Sequence, residues 1–325
     1  MAATGTRSAG RESAIGVSTP RRDSERKVRG TTRFAGDLNV AGLLHARLLL
    51  SHEAHALIRS IDTSAARSAP GVAAVLTAAD LPIVVSGPAR SREPLAREEI
   101  VYAGQPIAMV VAETETQAVD ALELIDAELE PLEPVLDLES AAAPGSPLAR
   151  VRTADEGEGS DIADAHASVS ASADGPEEEL SDNVLGTVRV AGGDAAAALA
   201  ASDVVVRSRF HTPWVYQGYL EPQTATAWFD PDDNLVVTTS TQAAFATRDE
   251  IVELFGLSTE GVRVRAAPLG GGFGGKMMIP DPLAVAAAIV LRRPVRLAMT
   301  RSEDFAATNP AGAELLDVEL GADSE

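Results

Sequence analysis

The chain has 325 residues, with 27 Lys or Arg against 48 Asp or Glu, a formal charge of −21. That excess of acid argues against a nucleic-acid binder and against a partner of anionic membrane surfaces, since both need basic patches. It has no cysteine, which rules out disulfides and a cysteine-ligated iron–sulfur cluster within the chain; in a redox enzyme its electrons would leave through another polypeptide.

In chain order, residues 1–26 are rich in Ser, Thr, Arg and Gly and lack an apolar core. They predict a disordered tail without a secretory signal, and a cytoplasmic location; no run of 18 or more apolar residues predicts a membrane helix. A first folded block is expected over 27–138. It contains strands at 43–50, 58–62, 72–76 and 107–112, and a helix beginning at Glu113 with an apolar stripe of Ala118, Ala121, Leu122 and Ile125. Alternation over 127–135 predicts a closing edge strand. His45 reads as a packed histidine. His52 and His55, three apart, could share a helical face, but no third ligand is near and no metal site is expected. The acidic stretch 139–182, including His166, reads as a flexible linker, disordered over about 153–180. A second block, 183–325, opens with Asp194 capping a helix over 195–201. Strands follow at 204–210, 224–229 and 235–240, then a helix over 247–255 and a strand over 262–266. An apolar helix-compatible run covers 283–291, and the chain stops in a strand-like pattern. The fold class is α+β.

The strand at 262–266 runs into Gly270-Gly271-Gly272-Phe273-Gly274-Gly275-Lys276, with five glycines in six positions. Glycine lets backbone approach a ligand closely and adopt positive φ, and Phe273 reads as a platform for something flat or as a core plug. Gly270 to Lys276 fits most of a P-loop, but Met277 stands where the magnesium-binding hydroxyl belongs; the dinucleotide fingerprint also fits, without its later acidic residue. A P-loop-like nucleotide binder or a non-catalytic interaction module is therefore the alternative function.

The loop and its surroundings resemble the molybdopterin-binding subunit of the xanthine dehydrogenase and aldehyde oxidase family. Lys27-Val28-Arg29-Gly30, Gly42-Leu43-Leu44-His45-Ala46-Arg47, Pro70-Gly71-Val72, Gly104-Gln105-Pro106 and the closing strand from Glu128 to Val135 match its α/β hammerhead domain in order and spacing. Glu221-Pro222-Gln223, Ser240-Thr241-Gln242, the glycine loop, and Thr300-Arg301-Ser302-Glu303-Asp304-Phe305 match the first part of its mixed α/β molybdopterin-binding domain, incomplete here.

The resemblance implies a molybdenum hydroxylase that oxidises a C–H bond with oxygen from water. Molybdenum–molybdopterin, in a dinucleotide form, would be the cofactor. Iron–sulfur clusters and FAD would lie on partner subunits of a heteromeric complex, with a second molybdenum-subunit half also implied. Gln242 would offer its amide to the molybdenum oxygen. Gly271, Gly272, Phe273 and Gly274 would pack against the centre, with N–H groups of Gly272, Phe273 and Gly274 available as donors. Met277 replaces a glutamate of purine-oxidising relatives, which points to an aldehyde or N-heteroaromatic substrate. Family subunits run more than twice this length, and their general base lies in the later part. No catalytic residue is therefore assigned here, and the chain alone is expected to be inactive.

Overall fold

The computed structural model describes residues 15–85, 92–151, 181–184, 186–188 and 190–324. The disorder expected at 153–180, with His166, lies outside the described residues, as does the start of the tail. The chain divides into Met1–Arg33 and Phe34–Glu325. The first unit carries a short helix, Ser24–Val28, across the boundary expected between 26 and 27. Its apolar content is low, but Asp23–Lys27 and Glu25–Arg29 pair at 3.1 and 3.0 Å, the four-residue spacing at which side chains meet on one helix face.

The second unit is built on a seven-stranded sheet. Its strands are β1 (Leu44–Leu50), β3 (Val72–Thr77), β5 (Pro106–Ala112), β8 (Thr224–Phe229), β9 (Leu235–Thr239), β10 (Val262–Ala266) and β11 (Val295–Ala298), in the order β10-β9-β8-β11-β1-β5-β3. Three strands come from the first sequence block and four from the second. They meet where β1 pairs in parallel with β11, Leu44 opposite Val295 and Ala46 opposite Leu297. β5 is buried along its whole length, which is why it reads as a continuous apolar run. Its side chains alternate between faces. Met109 and Val111 enter the main core with Leu44, Leu48, Leu297 and the helix Asp281–Leu291. Val110 and Ala112 pack on the other face against Ala118 and Ala121 of the helix Glu115–Leu122, with Leu122 and Ile125 beside them. That is the stripe expected from the sequence.

Two contacts tie the blocks further. Arg47, buried on β1, donates to the Ala298 carbonyl at 2.6 Å and reaches Glu303 at 3.2 Å and Glu115 at 2.9 Å. Gly104, at φ +92°, lies so close to the helix Arg301–Ala307 that a Cβ would stand 2.3 Å from the Ala306 carbonyl oxygen. A smaller sheet runs β4 (Glu99–Ile100), β2 (Ala56–Asp62), β6 (Asp126–Pro131), with β6 at an edge. A two-stranded ribbon joins β7 (Val204–Thr212) to β12 (Glu314–Ala322).

Several expectations are corrected. Residues 51–55 form bends, not a helix, so His52 and His55 share no helical face. His55 is buried, its Nδ1 donating to the Glu133 carbonyl at 2.8 Å and its Nε2 lying 2.8 Å from the Glu99 carboxylate; His52 stays exposed. His45 lies 3.6 Å from Glu115, and burial lowers its pKa. Among the described residues no cluster of His, Asp and Glu is placed to hold a metal ion. The helix expected over 247–255 starts a turn earlier, as Ala244–Phe255; Thr247 is buried, and its hydroxyl meets that of Thr241 at 3.0 Å. Across the boundary expected between 138 and 139, Leu138–Ala142 is a helix, its cap Asp137 accepting from the N–H groups of Glu139 and Ser140. The last strand runs to Ala322 and pairs along all its length with β7.

Candidate functional site

The glycine-rich stretch leaves β10 beside the end of β9, where the Ala267 N–H donates to the Thr239 carbonyl at 3.1 Å. It then makes a tight turn, closed by Gly275 N–H to the Gly272 carbonyl at 2.8 Å. The two central residues both have positive φ, Phe273 at 51° and Gly274 at 89°, the signature of a type I′ turn. Phenylalanine rarely sits at positive φ, so something must hold it there.

Gln242 does much of this. Its backbone N–H donates to the Lys276 carbonyl at 3.1 Å. Its side-chain Oε1 accepts from the N–H groups of Gly274 at 3.0 Å and Lys276 at 3.3 Å. Two N–H donors fix which end of the amide is oxygen, so the Nε2 is left as a donor with no acceptor among the described residues, on an exposed side chain. Phe273 is 72 % exposed and does not plug the core. The N–H expected to be available on Gly274 is taken by Gln242; those of Gly271, Gly272 and Phe273 have no acceptor among the described residues.

Beneath the loop lies a polar floor. One oxygen of Glu221, Oε2, accepts from the Gly270 N–H and from the Lys276 ammonium, each at 2.8 Å, and so closes both ends of the loop. Lys276 is 1 % exposed and its Nζ lies 4.8 Å from the centre of the Tyr219 ring. Burial lowers the Lys276 pKa, and the Glu221 carboxylate opposes the shift. Gln223 Nε2 donates to the Tyr219 hydroxyl and the Gly275 carbonyl, both at 2.9 Å. Tyr219 and Tyr216 donate in turn to the two oxygens of buried Asp304, at 2.9 and 3.1 Å, whose pKa burial raises.

The glycines are explained by what a side chain would strike. A Cβ on Gly270 would lie 2.5 Å from Glu221 Cβ, one on Gly272 2.5 Å from Gln242 Oε1, and one on Gly275 2.6 Å from Gln217 Oε1. Gly274 faces open space. A Cβ on Gly271 would lie 2.9 Å from Tyr219 Cβ, so four glycines admit close neighbours, and the fifth leaves the outer face of the turn bare. Met277 follows, 38 % exposed. The P-loop alternative is corrected here, because a phosphate-binding lysine must point outward and this one is ion-paired inside the protein.

Asp281, the first residue of the helix after the loop, is fully buried, and its Oδ1 has no hydrogen-bond partner among the described residues. Burial pushes its pKa up to about 6 from 3.8, with Thr239 opposing the shift. A carboxyl whose folded pKa is raised contributes stability below its unfolded pKa and loses it as pH rises through the folded one. Asp281→Asn is therefore expected to melt higher than the parent at pH 8, by on the order of 2–3 kcal/mol in stability, with the gap closing near pH 4. Parallel thermal melts at the two pH values check this; an equal gap at both would remove the titration from the account.

The structure brings Gln242, Gly271, Gly272, Phe273 and Gly274 into one turn, with Met277 next to it. Sequence reasoning missed the floor of Tyr219, Gln223 and Asp304, and the double role of Glu221. The helix that carries Asp304 did have a signal. Thr300-x-x-Glu303 is a capping box, and both of its hydrogen bonds are present.

Comparison with known proteins identifies the family. Residues 177–325 match the family model of the molybdopterin cofactor-binding domain, and residues 29–133 that of the aldehyde oxidase and xanthine dehydrogenase a/b hammerhead domain. The chain belongs to the molybdopterin-binding subunits of the xanthine dehydrogenase and aldehyde oxidase family. Within that family it is 32 % identical over 328 residues to the carbon monoxide dehydrogenase large chain of Hydrogenophaga pseudoflava, covering 96 % of this chain and 38 % of that one. It is 29 % identical over 324 residues to the nicotine 6-hydroxylase large subunit of Paenarthrobacter nicotinovorans, covering 96 % and 36 %. The crystal structure of quinoline 2-oxidoreductase from Pseudomonas putida 86 superposes with a TM-score of 0.78 at 27 % identity, over 96 % of this chain and 38 % of that one. The chain thus spans a little over a third of the length of these relatives. No helix among the described residues is long and apolar enough to cross a membrane.

Proposed function

We propose that this chain forms the cofactor-facing first part of a molybdenum hydroxylase, an oxidoreductase acting on an aldehyde or N-heteroaromatic C–H bond. The observation that carries this reading is the Gln242 amide. Its oxygen is consumed by the loop, which turns its Nε2 into an oriented donor beside an exposed Phe273 and a bare Gly274. Such a surface fits a flat, oxygen-bearing cofactor: a donor for an oxygen ligand, an aromatic face and unpaired N–H groups on Gly271, Gly272 and Phe273. When bound, molybdenum–molybdopterin would supply the two-electron oxidation chemistry. This chain's own residues would place it: Gln242 by hydrogen bonding, Phe273 by packing, and the Glu221–Lys276 pair by holding the turn in shape. Met277, apolar and polarizable, would line the substrate side.

The rest of the reading follows from family membership. The domain division proposed is a hammerhead domain over 27–138 and a molybdopterin-binding domain over 183–325, joined through 139–182; the family models match 29–133 and 177–325. Iron–sulfur and FAD subunits would carry electrons away, the cofactor would be a dinucleotide form, and the complex would work in the cytoplasm. This stretch alone would be inactive.

The test is metal analysis of the complex purified through a tag on this chain, with dye reduction by benzaldehyde and by quinoline. Molybdenum is expected in the complex and no dye reduction from the isolated chain. Gln242→Glu, which keeps the oxygen that accepts from the Gly274 and Lys276 N–H groups but loses the Nε2 donor, should lower turnover of the complex by about 100-fold, as loss of one oriented donor does elsewhere. A metal-free complex, or an isolated chain that turns over substrate, would sink the proposal.

A further inference from the structure

Tyr219 is buried under the glycine turn. A Cβ on Gly271 would stand 2.9 Å from its Cβ, and one on Gly275 3.0 Å from its Cε1, so it lies against both ends of the turn. Its hydroxyl is engaged twice, donating to Asp304 Oδ1 and accepting from Gln223 Nε2, each at 2.9 Å. Gln223 is itself buried, and the same Nε2 donates to the Gly275 carbonyl at 2.9 Å. A chain of hydrogen bonds therefore runs from the helix Arg301–Ala307 to the backbone of the turn.

The direction of each bond follows from the groups at the two ends. A carboxylate only accepts, and so does a backbone carbonyl. Asp304 also accepts from the Tyr216 hydroxyl at 3.1 Å and faces the Arg301 guanidinium at 3.3 Å, so Tyr219 must aim its proton at Asp304. The Tyr219 oxygen is then an acceptor. Together with the Gly275 carbonyl it needs two protons, and only the nitrogen end of Gln223 carries two. The Gly275 carbonyl shares one planar unit with the Lys276 N–H, and in a trans peptide the two point opposite ways. That N–H is one of the two that Gln242 Oε1 accepts, at 3.3 Å. A single peptide is thus held by Gln223 on one side and by Gln242 on the other.

We propose that Tyr219 is a positioning residue for the hydroxylase reaction: fixed by Asp304 and acting through Gln223, it holds the Gly275–Lys276 peptide so that Gln242 spends its oxygen on the turn and presents its Nε2 outward. The inference rests on the function proposed above and deepens it. Tyr219 touches neither substrate nor cofactor in this account. It sets which end of one amide faces them. Without the Tyr219 oxygen, Gln223 keeps one acceptor instead of two and its amide is free to turn, which releases the Gly275 carbonyl and with it the Lys276 N–H. Gln242 then loses one of the two donors that fix its orientation, and a misaimed donor is worth far less to a reaction than an oriented one.

The experiment pairs amide hydrogen exchange with turnover, both on the complex purified through a tag on this chain. In Tyr219→Phe, exchange over residues 270–277 should quicken by about tenfold, as local opening becomes easier. Tyr216→Phe takes a donor from the same carboxylate without touching Gln223, and should quicken it by less than about twofold. Gln223→Met leaves the bond between Tyr219 and Asp304 in place, and should reproduce the Tyr219→Phe result. With quinoline, Tyr219→Phe should lower kcat by about tenfold at unchanged KM, a fraction of the loss from removing the donor outright. The double variant Tyr219→Phe with Gln242→Glu should be no slower than Gln242→Glu alone, because both act on one donor. Equal exchange in Tyr219→Phe and Tyr216→Phe, or losses that multiply to about 1,000-fold in the double variant, would overturn the proposal and leave Tyr219 as a packing residue. Exchange needs no molybdenum, so in a metal-free complex the function reading fails while the exchange comparison still decides the role of Tyr219.

Discussion

Lys276→Met is expected to lower the unfolding free energy by about 3–5 kcal/mol, the usual loss when one partner of a buried ion pair is removed. The substitution keeps much of the side chain's bulk, so the loss isolates the charge. Glu221 would remain with the Gly270 N–H alone on Oε2, and with an Oε1 that has no partner among the described residues. Its side chain is only 13 % exposed, so water could not take over from the lysine. Urea titration reads the change as a lower midpoint at constant slope. The double variant Lys276→Met with Glu221→Gln should be less damaged than the sum of the two singles, since an amide can be buried more cheaply than a lone carboxylate. A loss below about 1 kcal/mol for Lys276→Met would place the pair with surface ion pairs and remove its role in holding the loop.

Gly104→Ala is expected to cost about 2–5 kcal/mol, combining left-handed strain with overpacking. The new methyl would collide with a main-chain carbonyl at Ala306, which cannot rotate away as a side chain would. Gly42→Ala is the internal control: it has φ +73° but nothing within 4 Å of the new Cβ, so only the strain of about 1–2 kcal/mol remains. Equal losses at the two positions would mean that the contact between residue 104 and the helix Arg301–Ala307 contributes nothing.

The parts of the fold that were legible in the sequence are those specified locally. β8 and β10 begin and end where alternation and turn residues put them, and Asp194 caps its helix through the Ala197 N–H. The pairing of β1 with β11 was not legible, because nothing in Leu44–Leu50 names a partner so far away. The glycine loop announced itself by composition, and Gln242 entered through family resemblance. The floor stayed hidden for a physical reason. Tyr219, Glu221, Gln223 and Asp304 are polar residues on two distant segments, and a polar residue shows its burial only once its partners are known.

The parallel pairing of Leu44 with Val295 also sets a clock for synthesis. At about 5–20 residues per second, roughly 10–50 s pass between the making of the first strand and of the partner that covers its edge. Until then the nascent chain holds β1 and β5 with one long apolar edge open, the geometry most prone to joining another chain. Chaperone demand should therefore fall in the window before residue 295 leaves the ribosome.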